Sequence, residues 1–169
     1  MIAIAVACGP ELLIADEATT ALDVTVQAQI VDLVKDLTRD LGLATIWITH
    51  DLGVVARMAD TVQVMYAGRI LERGPVDDVF HDPRNAYTLG LLRSLPDHAV
   101  DGRLSAIPGQ PSSPFDLPPG DPFAPRNPYA TDRCRNEPPP LRPAAGAAPD
   151  HLVAAWYDLP TLLKAEARP

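Results

Sequence analysis

The sequence predicts an α/β protein, a parallel sheet with crossover helices, followed by a proline-rich and mostly irregular extension. Three observations lead there. Two short apolar runs, Leu12–Ala15 and Ala44–Thr49, have the length and the Leu, Ile, Thr and Trp content of strands. Between them Val26, Ile30, Val31, Leu33, Val34, Leu37 and Leu41 recur at helical spacing. Strand, helix and strand then form one right-handed βαβ crossover. Pro10, Pro75 and Pro83 are the only prolines before residue 96, so most of the 19 fall in the last part of the chain. The composition thus divides the chain near Leu95–Pro96, into residues 1–95 and 96–169.

Taken in order, Met1–Cys8 alternates apolar and small residues, as the buried end of a helix does, and Gly9-Pro10 stops it. Leu12–Ala15 reads as a strand buried on both faces. Such a strand cannot carry carboxylates inside it, so Asp16 and Glu17 belong at its C-terminal edge, where parallel α/β sheets place ligands. Adjacent residues leaving a strand point in different directions, so one acid can face a hydrated metal ion and the other an attacking water. The same pair also suits the cap and first turn of a helix. Asp23 is a candidate N-cap for the helix that follows, and Gly42 a left-handed C-terminal cap. His50 leaves the second strand at the edge that carries Asp16 and Glu17; a lone histidine there also suits a polar turn. Leu52–Ala59 reads as a short helix, and Thr61–Tyr66, Ala67-Gly68 and Arg69–Leu71 as a hairpin. Further helices start at Asp77–Phe80 and run over Leu89–Leu95. After Pro96 the repeated prolines remove backbone donors and forbid long helices.

A net charge of -8 and a pI near 4.8 argue against a nucleic-acid backbone or an anionic lipid surface as direct partner, and for proteins or metal-bound nucleotide. Ile2–Cys8 is too short to span a bilayer, and no Lys or Arg precedes Lys35. Cys8 and Cys134 lie in unlike segments, which argues for a reducing compartment and against a disulfide framework.

Asp16-Glu17, then Thr20-Ala21-Leu22-Asp23, then Ile48-Thr49-His50-Asp51 resemble the Walker B, D-loop and H-loop series of ATP-binding cassette (ABC) ATPases. Ala18 departs from the proline usual after the Walker B acids, a change that removes no reacting group. Gly120–Ala130, Cys134 and Ala155-Trp156 resemble the C-terminal extension of oligopeptide and dipeptide importer ATPases. Tyr87-Thr88 match the His-Pro-Tyr-Thr of that subfamily, whereas Asn85 and Ala86 depart from it.

The resemblance implies a partial P-loop NTPase (ABC ATPase) domain over residues 1–95, an importer-type extension over 96–169, and a subunit whose ATP hydrolysis powers peptide import. It assigns Glu17 as general base, Asp16 as holder of Mg2+ through water, His50 as the contact to the γ-phosphate that orients the water, and Asp23 as the D-loop acid that reaches across the ATP sandwich. It implies ATP and Mg2+ as cofactors, permease subunits and a second ATPase subunit as partners, and a cytoplasmic place on the inner face of the membrane without insertion. The phosphate loop and signature of that family would lie before Met1. A phosphate loop needs glycines and a lysine, and the only lysines, Lys35 and Lys164, sit in no glycine loop. Residues 1–169 alone are therefore expected not to hydrolyse ATP. Many members carry four cysteines in the extension that bind an iron-sulfur cluster. Here Asp121, Asn127 and Ala155 stand at three of those positions, and Cys134 alone cannot hold a cluster. Two rivals remain: a non-catalytic interaction fragment or truncated product, and a helicase or DNA-repair ATPase, against which the tail and the acidic charge speak.

Overall fold

A computed structural model describes residues 2–20, 22–96, 105–113 and 115–167. The chain divides into two compact units, residues 1–60 and 61–169. The compositional change at Leu95–Pro96 lies inside the second.

The first unit is a βαβ unit with a short helix at each end. It comprises α1 (Ile2–Val6), β1 (Leu12–Asp16), α2 (Val24–Leu41), β2 (Ala44–Ile48) and α3 (Leu52–Met58). β1 and β2 pair in parallel, Leu12 opposite Ala44 through Asp16 opposite Ile48. α2 forms because its apolar stripe packs on the sheet and both ends are satisfied. Asp23 accepts from the amides of Thr25 and Val26, and Gly42 adopts φ 63°, the left-handed conformation that lets its N–H close back onto the last turn. Leu13, Val34 and Leu43 form the core, with Ile2, Val6, Ile30, Trp47 and Met58 against it.

Two expectations are corrected here. β1 is covered on one face only: Leu13 and Ala15 are buried, whereas Leu12 and Ile14 are 46% and 61% exposed, and Ile46 and Ile48 of β2 lie open on the same face. The apolar run is long enough for burial on both sides, but α1, α2 and α3 supply one covering layer. α1 likewise buries no residue fully. Only Ile2 and Val6 touch the core, because its five residues turn about once and a half and present the rest, including Ile4, to solvent.

The second unit is built on a four-stranded antiparallel sheet. The hairpin of β3 (Thr61–Tyr66) and β4 (Arg69–Pro75) turns at Ala67 and Gly68, whose φ values of 48° and 76° make the primed turn that right-twisted hairpins favour. α4 (Val76–His81) and α5 (Ala86–Arg93) follow. The proline-rich segment is more ordered than its composition suggests. It carries a 3₁₀ turn (Ala124–Arg126), α6 (Asp132–Asn136), two two-residue strands, β5 (Arg142–Pro143) and β6 (Leu152–Val153), and α7 (Leu159–Glu166). β6 adds to β4, and β5 to β6. These strands escape a periodicity reading because two residues show no period.

Tyr66, Leu71, Ala86 and Phe123 form the core of this unit, and the rings of Tyr66, Tyr87 and Phe123 meet at 4.8–5.4 Å between centroids. A polar network lies beside it. The fully buried carboxylate of Glu72 accepts from the amides of Arg84 (2.6 Å) and Asn85 (3.1 Å) and lies 2.7 Å from Nε2 of buried His151. Asn85 caps α5 through its Oδ1 and donates from Nδ2 to the Ala154 carbonyl. The departure from the subfamily's histidine thus falls on a buried residue that joins α5 to β6.

Candidate functional site

The parallel pairing carries β1 and β2 to a common edge. Asp16 is the last residue of β1, and the amide of Glu17 still donates to the Ile48 carbonyl at 2.9 Å. Glu17 then turns into the left-handed region, φ 47°, a conformation that costs a non-glycine residue energy and persists only where its surroundings hold it. The hold is visible: Thr20 donates its amide to the Glu17 carbonyl (3.2 Å) and its hydroxyl to Glu17 Oε2 (3.3 Å).

That turn aims the Glu17 carboxylate at His50, whose Nδ1 lies 3.1 Å from Oε1. An ionised carboxylate only accepts, so Nδ1 carries the proton and Nε2 is left for another partner. Both side chains are more than half exposed, so the pair contributes little to stability, and its geometry leaves both groups reachable from solvent. Asp16 is exposed next to them, and its carboxylate takes no hydrogen bond among the described residues.

The turn after His50 is fixed by Asp51, whose carboxylate caps α3 by accepting from the amides of Gly53 and Val54 and whose own N–H donates to Thr49 Oγ1 at 3.1 Å. Gln27 in the first turn of α2 donates to Asp51 Oδ2 at 2.6 Å, tying the start of α2 to the start of α3. Sequence reading missed Gln27, because a glutamine on a helix carries no signal of its distant partner. Asp23, at the same end of α2, serves as the N-cap. The structure therefore brings Glu17 and His50 into contact, places Asp16 one residue before Glu17 at the end of β1, and uses Asp23 as the N-cap of α2.

The lysines lie elsewhere. Lys35 is mid-helix in α2 and donates to the Arg57 carbonyl, and Lys164 is in α7. Among the described residues no group of three or more His, Cys, Asp or Glu side chains is arranged to hold a metal ion. One unpartnered carboxylate next to a second acid fits instead a magnesium ion that keeps most of its water.

The positions discussed for the extension are all buried: Asp121, Asn127, Cys134 and Ala155. The Asp121 amide donates to the Cys134 carbonyl at 2.8 Å, and its carboxylate caps the Phe123 amide at 2.9 Å. Burial pushes the Asp121 carboxyl above the usual range, against the Phe123 amide and the Arg69 charge, which pull it down. Tyr157 is raised well above the phenol range, first by burial, with the Ala86 amide opposing and the nearby Asp121 adding to it.

Acids and an imidazole gathered at the carboxyl edge of a parallel βαβ unit define an α/β protein of the kind that binds ligand at that edge. Comparison with known proteins sharpens this. Residues 71–134 match the family described as "Oligopeptide/dipeptide transporter, C-terminal region". The chain is 49% identical over 168 residues to the oligopeptide transport ATP-binding protein OppD of Bacillus subtilis (98% of this chain, 46% of that protein). It is 53% identical over 142 residues to the dipeptide transport ATP-binding protein DppD of Escherichia coli (83% and 43%), and 54% identical over 164 residues to OppD of Salmonella typhimurium (96% and 48%). The chain belongs with the ATP-binding proteins of ABC oligopeptide and dipeptide importers, of which it corresponds to a C-terminal part. It spans about half the length of the curated relatives it matches.

Proposed function

We propose that residues 1–95 are part of the nucleotide-binding domain of an ATP-hydrolysing subunit that powers oligopeptide or dipeptide import, and that residues 96–169 are its importer-type extension. The reading rests on one observation above the others: Glu17 and His50 meet at 3.1 Å, directly after Asp16, at the carboxyl edge of paired parallel strands.

In this reading Glu17 accepts the proton of the attacking water. His50, with Nδ1–H turned to Glu17, keeps that carboxylate aimed and offers Nε2 to a terminal phosphate oxygen or to the water. Asp16 holds Mg2+ through water, and the ion when bound neutralises charge on the phosphate oxygens. The glycine-rich cradle and its lysine come from residues outside 1–169, from a longer chain or a second one. Permease subunits and a second ATPase subunit are the partners of such a protein, and its place is the cytoplasmic face of the membrane. Among the described residues no helix is long and apolar enough to cross a bilayer.

Phosphate release tests this. Residues 1–169 alone should release none above buffer in the presence of Mg2+, because a whole set of transition-state donors is missing and each costs about a hundredfold to a thousandfold. Addition of the upstream half of the B. subtilis relative should restore release. Mg2+-dependent release by residues 1–169 that vanishes with Glu17→Gln would overturn the division of labour. Failure of the upstream half to restore any would favour a non-catalytic interaction fragment.

A further inference from the structure

The second unit contains a cavity of about 290 Å³, close to the lower end of the roughly 300–1,000 Å³ range of small-ligand sites. Arg84, Arg142, Ala144, Val153, Trp156 and Asp158 line it. Neither the ATP reading nor the family comparison uses this cavity.

Its chemistry is set by two guanidinium groups. Arg84 is held in place rather than solvated: only 9% of its side chain is exposed. It donates to the Ala145 carbonyl at 2.6 Å and pairs with Asp82, while its Nε–H is buried with no acceptor. A guanidinium this buried, answered by one half-exposed carboxylate, is under-compensated, and burial makes that costly. Arg142 is exposed across the cavity. One of its N–H groups is spent on the Ala155 carbonyl at 3.0 Å, and its centre lies 5.4 Å from the Trp156 ring. The ring itself is fixed, its Nε1–H donating to the Glu137 carbonyl and the Arg133 guanidinium stacked on it at 3.5 Å. Arg133 is answered by Glu137.

We propose that this cavity binds a small organic carboxylate, with the charge between Arg84 and Arg142 and the apolar body against Trp156 and Val153. The charge count selects a monoanion. One of the two lining arginine charges is offset by Asp158, and Asp82 answers part of Arg84 from outside the lining, so at most one positive charge is left. A dianionic phosphate meets both the weaker surplus and the repulsion of Asp158. Planar carboxylate on a guanidinium fork also gives the stronger geometry.

The test uses residues 1–169, labelled with 15N, and follows the indole N–H signal of Trp156, assigned with a Trp47→Phe variant. Benzoate should shift this signal saturably, while benzamide, its neutral analogue, and inorganic phosphate should shift it little. Arg142→Ala, a substitution at an exposed residue, should weaken benzoate about tenfold or more, the loss of one charge-assisted hydrogen bond, and Arg142→Lys should recover part of it. Equal shifts with benzamide, tighter binding of phosphate, no saturable shift with benzoate, or an affinity unchanged in Arg142→Ala would each overturn the proposal. Because every readout is binding to the second unit, its failure leaves the ATP reading untouched.

Discussion

Among the described glycines, Gly120 has the least room for a methyl group, so Gly120→Ala should be the most damaging of their alanine substitutions. A Cβ at Gly120 would sit 2.2 Å from the Cys134 carbonyl oxygen and 2.6 Å from the Arg135 carbonyl carbon. Both are backbone atoms that cannot swing away as a side-chain tip can. Relief requires the α6 backbone to back off by about an ångström, which strains a close-packed region. It also breaks the 2.8 Å bond from the Asp121 amide to that same Cys134 oxygen. Overpacking and one lost buried hydrogen bond together give about 2–4 kcal/mol. For a unit of this size that lowers the melting temperature by about 10–20 °C. The assay is thermal unfolding followed by Trp156 emission in a Trp47→Phe background, which reports the second unit alone. Gly68→Ala is the control: its φ of 76° is unfavourable for alanine, but nothing lies within 4 Å of the added methyl, so about 1 kcal/mol is expected. Equal melting shifts for the two variants would refute the reasoning, since the backbone clash and the hydrogen bond it breaks are what should make Gly120→Ala the worse of the two.

Glu72→Ala should destabilise the second unit by about 3–5 kcal/mol in urea titration, because it leaves His151 and the amides of Arg84 and Asn85 without their buried acceptor. Asp121, raised by burial, contributes stability below the ordinary Asp range that is lost as pH rises through its folded value. Asp121→Asn should therefore match the parent in melts at about pH 3–4, near and below the ordinary carboxyl value, and exceed it at neutral pH. Anaerobically expressed protein should contain no stoichiometric iron by metal analysis, while about four irons per chain would mean a [4Fe–4S] cluster and a misplaced set of extension cysteine positions.

The first unit was legible because its signals are periodic or terminal. The α2 stripe, the Asp23 cap, Gly42 and the two strands are visible as local patterns, and parallel pairing then forces Asp16, Glu17 and His50 to one edge. Which faces of β1 are covered was not legible, since an apolar run records what a strand tolerates and not what packs on it. Nor was the order of the proline-rich segment. Its β6 is held by partners far away in sequence, through the pairing of Glu72 with Val153 and the Asn85–Ala154 hydrogen bond across 69 residues, and β5 in turn pairs with β6. The same limit hid the distant partner of Gln27 and the left-handed turn at Glu17, which Ile48 and His50 hold together with the nearby Thr20.

The central assignment is tested most directly by trapping. Residues 1–169 joined to the upstream half of the B. subtilis relative, once shown to hydrolyse ATP, should with Glu17→Gln retain Mg2+ and unhydrolysed ATP on the purified protein, while turnover falls by about a hundredfold or more. His50→Ala should lower turnover with a much smaller loss of nucleotide binding. A Glu17→Gln protein that hydrolyses ATP at the parent rate and retains only ADP would contradict the account.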